Sequence, residues 1–430
     1  MERKIENKLL EWKNSPYRKP LILQGARQVG KTYTTLSFGK KYYSSCVYFN
    51  FENNSELAKI FERDLEPERI IMELSAKSGQ TILKKETLIF FDEIQACERA
   101  LASLKYFQEN ANDYHIIAAG SLLGVAVNRE KYSFPVGKVD FLNMYPLDFE
   151  EFLTVLGQER LLEAIKDCFY TNTPLSIHET AMDYYRKYLL TGGMPSVIVQ
   201  YIDKQDFDFV KAEQKNINDA YIADMAKYAT PHETTKIMAA FESIPAQLAK
   251  ENKKFQYKLI RTGAKANQYE TPIDWLRSSG IVIKCHKVNE GNLPLKAYCD
   301  FSSFKIYLTD VGLLTSKFDI PANIILSGNT HFDRFKGALA ENYVAQSLVT
   351  NGHSIFYWES KGKAEIDFVM QDKDGNILPI EVKSGEHTKS KSLGVFCSRY
   401  ECEHSIRISG KNFGFENGIK SVPLYAVWLI

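Results

Sequence analysis

A chain of 430 residues with 44% hydrophobic and 25% charged side chains has the length for two to four folded domains, and its 26 Phe and 24 Tyr argue against extensive disorder. The formal net charge of +1 does not mark a nucleic-acid binder, so any basic surface must be local. The charged start MERKIENKLLEWKNSPYRKP lacks a signal-peptide core, no stretch is apolar enough to span a bilayer, and seven scattered cysteines without C-x-x-C give no zinc site. A cytoplasmic protein with reduced thiols is expected.

Five short apolar runs come first: PLILQ at Pro20, CVYFNF at Cys46, TLIFFDE at Thr87, HIIAAGS at His115 and VDFLNMY at Val139. Helical patterns separate them, which predicts an α/β domain with a parallel sheet over residues 1–150. Strand signals then stop. DFEEFLTVL, ERLLEAIKDCFY, AMDYYRKYLL and NINDAYIADMAKY carry apolar residues three or four apart, so 151–230 reads as a helical lid subdomain, broken by TGGMPS. Over 231–320 two helical patterns lead into IVIKCHKV, a turn at NEGN, and FKIYLTD, the order of a winged helix. Residues 321–430 open with the helix FKGALAENYVAQSLV and continue as SIFYWES, AEIDFVM, ILPIEVK and PLYAVWL, all read as strands of a further α/β domain.

Between the first strand and the following helix, Gly25-Ala26-Arg27-Gln28-Val29-Gly30-Lys31-Thr32 fits G-x-x-x-x-G-K-[ST] completely. Glycines let the backbone curl until successive N–H groups point at phosphate oxygens, and the helix that begins here adds its positive end. Lys31 is expected to reach the β- and γ-phosphates and Thr32 to offer its hydroxyl to Mg²⁺, with Tyr33 completing the nucleotide-binding stretch. TLIFFDE sends two acids out at the carboxyl edge of the sheet, where ligands bind. Asp92 is the candidate metal carboxylate and Glu93 the candidate general base for the attacking water. Ser121, at the end of HIIAAGS, is a further catalytic candidate or simply a turn residue.

GARQVGKT, IFFDEI, IIAAGSLLG, PLDFEEF and LLTGGMP, in that order, resemble a family of prokaryotic AAA+-type ATPases related to the origin-recognition and signal-transduction ATPases. The resemblance implies ATP and Mg²⁺ as cofactors, Ser121 as the sensor 1 residue, and Pro195, in Gly193-Met194-Pro195, as an adenine contact. It also implies an arginine finger in the segment FPVGKVDF. Lys138 stands at that position, and Arg129 lies just upstream, so the finger stays open between them.

Near the end, Asp367 in EIDFV is followed by Glu381-Val382-Lys383 in IEVKS, with Glu341 on the preceding helix. Period two places Glu381 and Lys383 on one face of a strand that partners the strand of Asp367. The set resembles the PD-(D/E)XK nuclease core. That resemblance implies that Glu341, Asp367 and Glu381 hold Mg²⁺ or Mn²⁺ and that Lys383 orients or deprotonates water. A satisfied ion cluster is the alternative.

From Lys250 to Asp300 ten Lys or Arg face five Asp or Glu, with Tyr257, Tyr269 and Trp275 interleaved. Arg261, Lys265 and Arg277 are the candidate phosphate contacts of a winged helix, unless the segment is a solvated face that docks protein. The expectation is an Mg-dependent ATPase acting on or near nucleic acid. Two alternatives stand beside it: a nucleotide-gated protein-interaction switch with an inactive nuclease-like domain, and an ATP-regulated metal-dependent DNA nuclease. Double-stranded DNA, a protein partner and a homo-oligomer stay open as partners; a membrane is not expected.

Overall fold

The computed structural model describes residues 1, 3–54, 56–120, 135–251, 253–327, 333–360, 364–385 and 391–430. They form two compact units: Met1–Tyr145 with Ser278–Gly280, and Pro146–Arg277 with Ile281–Ile430.

The first unit is built on a parallel sheet of β1 (Leu21–Gln24), β2 (Ser45–Asn50), β3 (Thr87–Asp92), β4 (His115–Ala119) and β5 (Asp140–Asn143), in the order β2-β3-β4-β1-β5. All five expected strands are there. Every residue of β3 and β4 is buried, as a sheet covered on both faces requires. One side of β3 sends Ile89 and Phe91 into a core with Phe49, Phe61 and Ile116, and the helices Pro67–Ser78 and Glu98–Asn110 close it with Ile70, Leu74, Leu104 and Phe107. The order has a functional consequence. It inserts β4 between β1, which feeds the glycine loop, and β3, which carries the acid pair. The described part of β4 ends at Ala119; Ser121 and Arg129 lie outside the described residues.

The second unit opens with helices, as expected. Phe149–Val155 starts at a capping box in which the Asp148 side chain accepts from Glu151 N and the Glu151 side chain accepts from Asp148 N. Glu159–Thr171, His178–Thr191, Pro195–Lys204, Phe207–Tyr228 and Pro231–Leu248 follow. Two sequence expectations change beyond this point. First, the strand pair read as part of a winged helix, β6 (Val282–Val288) and β7 (Cys299–Leu308), is continuous with the C-terminal sheet. That sheet also holds β8 (Phe356–Glu359), β9 (Glu365–Gln371), β10 (Ile377–Val382), β11 (Ser405–Ser409), β12 (Gly414–Glu416) and β13 (Ile419–Pro423), in the order β12-β13-β11-β10-β9-β8-β6-β7. β6 pairs in parallel with β8, His286 opposite Phe356, so 231–320 and 321–430 share one sheet. An isolated hairpin is marginal in water, and β6 gains a ladder by joining its neighbour. Second, PLYAVWL is not a strand. Leu424–Leu429 is a wholly apolar 3₁₀ turn packed on the helices Glu159–Thr171, His178–Thr191 and Asp333–Thr350. A short apolar run buried all round has no period to separate strand from helix.

Polar side chains of the helix Asp333–Thr350 tie the unit together. Asn342 bonds both main-chain groups of Leu308, and Gln346 bonds Val311 N and the Tyr188 hydroxyl. Among the described residues no helix is long and apolar enough to cross a membrane.

Candidate nucleotide site and acid cluster

Between Gln24 and the helix Lys31–Tyr42 the chain turns through positive φ at Gly25 (149°), Gln28 (66°) and Gly30 (96°). A Cβ on Gly25 would lie 2.2 Å from the Met144 carbonyl oxygen, so the first glycine is required by packing as well as by curvature. Ala26 and Val29 are buried and pin the loop, while Arg27, Gln28 and Tyr33 are exposed. The Lys31 ammonium folds back, donating to the carbonyls of Gly25 (2.9 Å) and Ala26 (2.8 Å). A cation held by two neutral acceptors is ready to exchange them for a phosphate. Arg3, which no motif marks, braces the loop by donating to Val29 O (3.1 Å) and Tyr145 O (2.7 Å).

Asp92, only 3% exposed, accepts from the Thr32 hydroxyl at 2.8 Å. The loop and the acid strand therefore meet at one point, on the two groups expected to share Mg²⁺. Tyr48 of β2 donates to the same oxygen at 3.0 Å, a third member that no motif marked. A single carboxylate and a hydroxyl suit Mg²⁺, which keeps waters and takes its other ligands from phosphates. Glu93 leaves the strand at φ 50°, and Gln95 donates to its carboxylate at 2.5 Å. Burial raises Glu93 above the usual carboxylate range against the opposing pull of Gln95 and Lys31, which suits a base.

Lys138 is paired with Glu109 at 2.9 Å, an ion pair within the first unit. Pro195 belongs to the second unit and starts the helix Pro195–Lys204 at its first position, the place where a missing N–H costs least. The glycines before it have a packing reason. Gly193 N donates to Asp310 (2.6 Å) and Gly193 O accepts from Leu147 N (2.7 Å). A Cβ on Gly192 would meet Asp310 Oδ1 at 2.2 Å, and one on Gly193 would meet Leu147 O at 1.9 Å.

In the second unit Glu341, Asp367 and Glu381 lie on one helix and two adjacent strands, and Lys383 follows the last residue of β10, with company the sequence did not announce. Lys305 of β7, 1% exposed, points its ammonium at Glu341 (3.1 Å), Glu365 (2.7 Å) and Asp367 (3.8 Å). Glu341, 2% exposed, also receives Lys253 and the Tyr307 hydroxyl (2.5 Å). Both Glu341 oxygens are thus taken by protein donors. Asp367 Oδ2 accepts from Val382 N (2.8 Å), and Lys383 pairs with Glu381 at 3.1 Å. The second oxygen of Glu381 is buried without a hydrogen-bond partner. Burial pushes Glu341 up, but Lys253 and Lys305 outweigh it and hold it well below the ordinary range. Burial and the Glu341 charge push Asp367 up, to about 6. Among the described residues no three acidic, histidine or cysteine side chains are grouped to hold a metal ion. Lys305 neutralises Glu341 and Asp367, two of the three carboxylates expected to hold a divalent cation, and the residues as arranged do not fit one. Glu365 was findable, two positions before Asp367 on the same face. Lys305 reads as an outward residue of FKIYL, and nothing near Lys253 signals a buried partner.

The interleaved aromatics of the basic segment are largely core. Tyr269 and Trp275 are buried, and Tyr257 is half-buried. Arg261 and Lys265 are exposed, whereas Arg277 and Lys284 share Asp274.

A parallel sheet with a glycine cradle after one strand, and a carboxylate reaching the cradle's threonine from another, defines a P-loop nucleotide-binding domain. Residues 17–153 match the AAA domain family. Residues 182–323 match a domain of unknown function, DUF8612, and 336–427 another, DUF4143. No curated protein matches the chain in sequence. Among solved structures it is similar to the Walker-type ATPase PABY2304 of Pyrococcus abyssi (16% identity, 74% of this chain and 95% of that one, TM-score 0.46). It is also similar to the Aeropyrum pernix ORC1 protein in complex with DNA (12%, 75% and 94%, 0.30) and to Cdc6p from Pyrobaculum aerophilum (14%, 76% and 96%, 0.27).

Proposed function

We propose that the chain binds and hydrolyses Mg-ATP in its first unit and uses the second on or near nucleic acid. The observation that carries the ATPase reading is the Thr32–Asp92 contact, which joins the glycine loop to the acid strand beside Lys31. In this reading the amides of residues 25–33 and Lys31 hold the phosphates, Thr32 and Asp92 hold Mg²⁺, and Glu93 takes a proton from the attacking water. Bound Mg²⁺ supplies charge neutralisation at the transferring phosphoryl group. Ser121 as sensor, Pro195 as adenine contact, and Arg129 or Lys138 as finger complete the set. The trial is ATP turnover by wild type, Lys31→Ala and Glu93→Gln; equal background rates in all three would sink it. Contact with double-stranded DNA rests on the local basic excess, with Arg261 and Lys265 exposed. A steep fall of DNA affinity with salt supports it, and no binding at low salt removes it.

A second reading is favoured by Lys305. A nuclease-like acid set closed by internal ammonium groups suits a nucleotide-gated switch whose second unit binds a partner and does not cut. Mn²⁺ titration of the nucleotide-free protein separates the readings. No binding fits the switch; binding that Asp367→Asn abolishes restores the nuclease.

A further inference from the structure

The helix Lys391–Tyr400 ends with Glu401 at φ 54°, and Cys402 N then donates back to Cys397 O at 3.3 Å. This is the Schellman closure, in which the residue two past the last helical position bonds the carbonyl five positions earlier. The same closure brings the side chains of those two residues together, and here both are cysteine. Both thiols are half-buried and unbridged, and the Cys402 thiol donates to Tyr400 O at 3.9 Å. From this geometry we propose that Cys397 and Cys402 form an oxidation site, a thiol pair that a hydroperoxide converts reversibly to a disulfide.

Cys397 is the attacking sulfur. Hydrogen bonds from Cys402 and from Ser405 favour its thiolate, and a thiolate is the nucleophile in such chemistry. Having lost its proton, its sulfur attacks one oxygen of hydrogen peroxide; the O–O bond breaks and the departing hydroxide takes up that proton as water, giving a sulfenic acid. The Cys402 sulfur then attacks the Cys397 sulfur. The S–S bond forms, the S–O bond breaks, and hydroxide leaves with the Cys402 proton as a second water. Two thiols are oxidised by two electrons and one hydroperoxide is reduced. A dithiol reductant reverses the change by exchange. By contrast, burial raises the Cys46 thiol to about 11 and pushes that of Cys285 higher still.

The location gives the site a consequence. The helix lies on β9 and β10, the strands of Asp367 and Glu381, and its Tyr400 hydroxyl accepts from the Trp358 indole at 3.2 Å. The bridge closes a ring of only six residues, so it gains little chain entropy and acts by fixing the helix end.

The test uses the full chain, freed of reductant and exposed to hydrogen peroxide, then alkylated and digested with trypsin. Cleavage after Arg399 separates the two sulfurs, so the bridge is read as SLGVFCSR linked to YECEHSIR. The expected result is that linked pair in wild type, its loss on dithiol treatment, and a Cys397 sulfenic acid trapped by a dimedone reagent in Cys402→Ser. Full alkylation of both cysteines after peroxide that oxidises glutathione in the same tube would overturn the proposal. So would linkage as fast in the urea-unfolded chain as in the folded one.

Discussion

The nucleotide loop and the acid cluster are made of the same residue types and reach opposite states. In the loop, Lys31 donates to two carbonyls, and Asp92 accepts from two hydroxyls and an amide. Those partners are exchangeable, and a phosphate with its cation offers better ones. In the cluster, Lys305 and Lys253 are committed to Glu341, Glu365 and Asp367. Charges already matched inside a protein bind nothing further without first being uncoupled. A motif fixes which groups are present; the side chains from outside the motif decide whether they are free to act.

The largest expected effects test the open side of this contrast. Lys31→Ala should lower both nucleotide affinity and turnover. Glu93→Gln should bind normally and turn over about 10²–10⁴-fold more slowly, since only the base is lost. Single-turnover kinetics beside equilibrium binding separates the two. Turnover in Glu93→Gln equal to wild type would remove Glu93 from the mechanism.

The sequence disclosed the two regions unequally, for physical reasons. Strands buried on both faces are continuous apolar runs, so β1, β3 and β4 and the glycine loop between β1 and its helix were legible without any partner information. The acid residues of β9 and β10 were legible through period two. What joins β6 to β8 is a long-range pairing, and no local residue encodes it. SIRIS, which forms β11, was overlooked because its alternation is short. Lys305 was hidden for a different cause: in FKIYL a lysine signals a solvated face, and only the carboxylates of Glu341 and Glu365 make its burial tolerable.

The closed side of the contrast is tested by stability. Lys305→Met leaves buried carboxylates unmatched and should cost about 3–5 kcal/mol in chemical denaturation. Adding Glu341→Gln should recover part of that loss. A double variant no better than the single would mean the two charges are not coupled. A pH effect of similar size or smaller belongs to the first unit. Burial lowers His115, which is hydrogen-bonded to the Tyr43 hydroxyl at 2.7 Å, to about 4. The unfolded chain binds that proton near pH 6.5, so the folded state loses stability as pH falls from about 6.5 toward 4, by at most about 3 kcal/mol. His115→Phe should flatten the decline in calorimetric scans; an unchanged slope assigns it elsewhere. Smallest is Lys253→Met, at the partly exposed rim of the cluster, with an expected loss of about 1–2 kcal/mol.

The most direct measurement is a calorimetric titration of the pure, folded chain with ATP and Mg²⁺, run beside Lys31→Ala. The account predicts saturable heat from the wild type and its disappearance in the variant. No heat from the wild type, or the same heat from both, would contradict a phosphate cradle at residues 25–32.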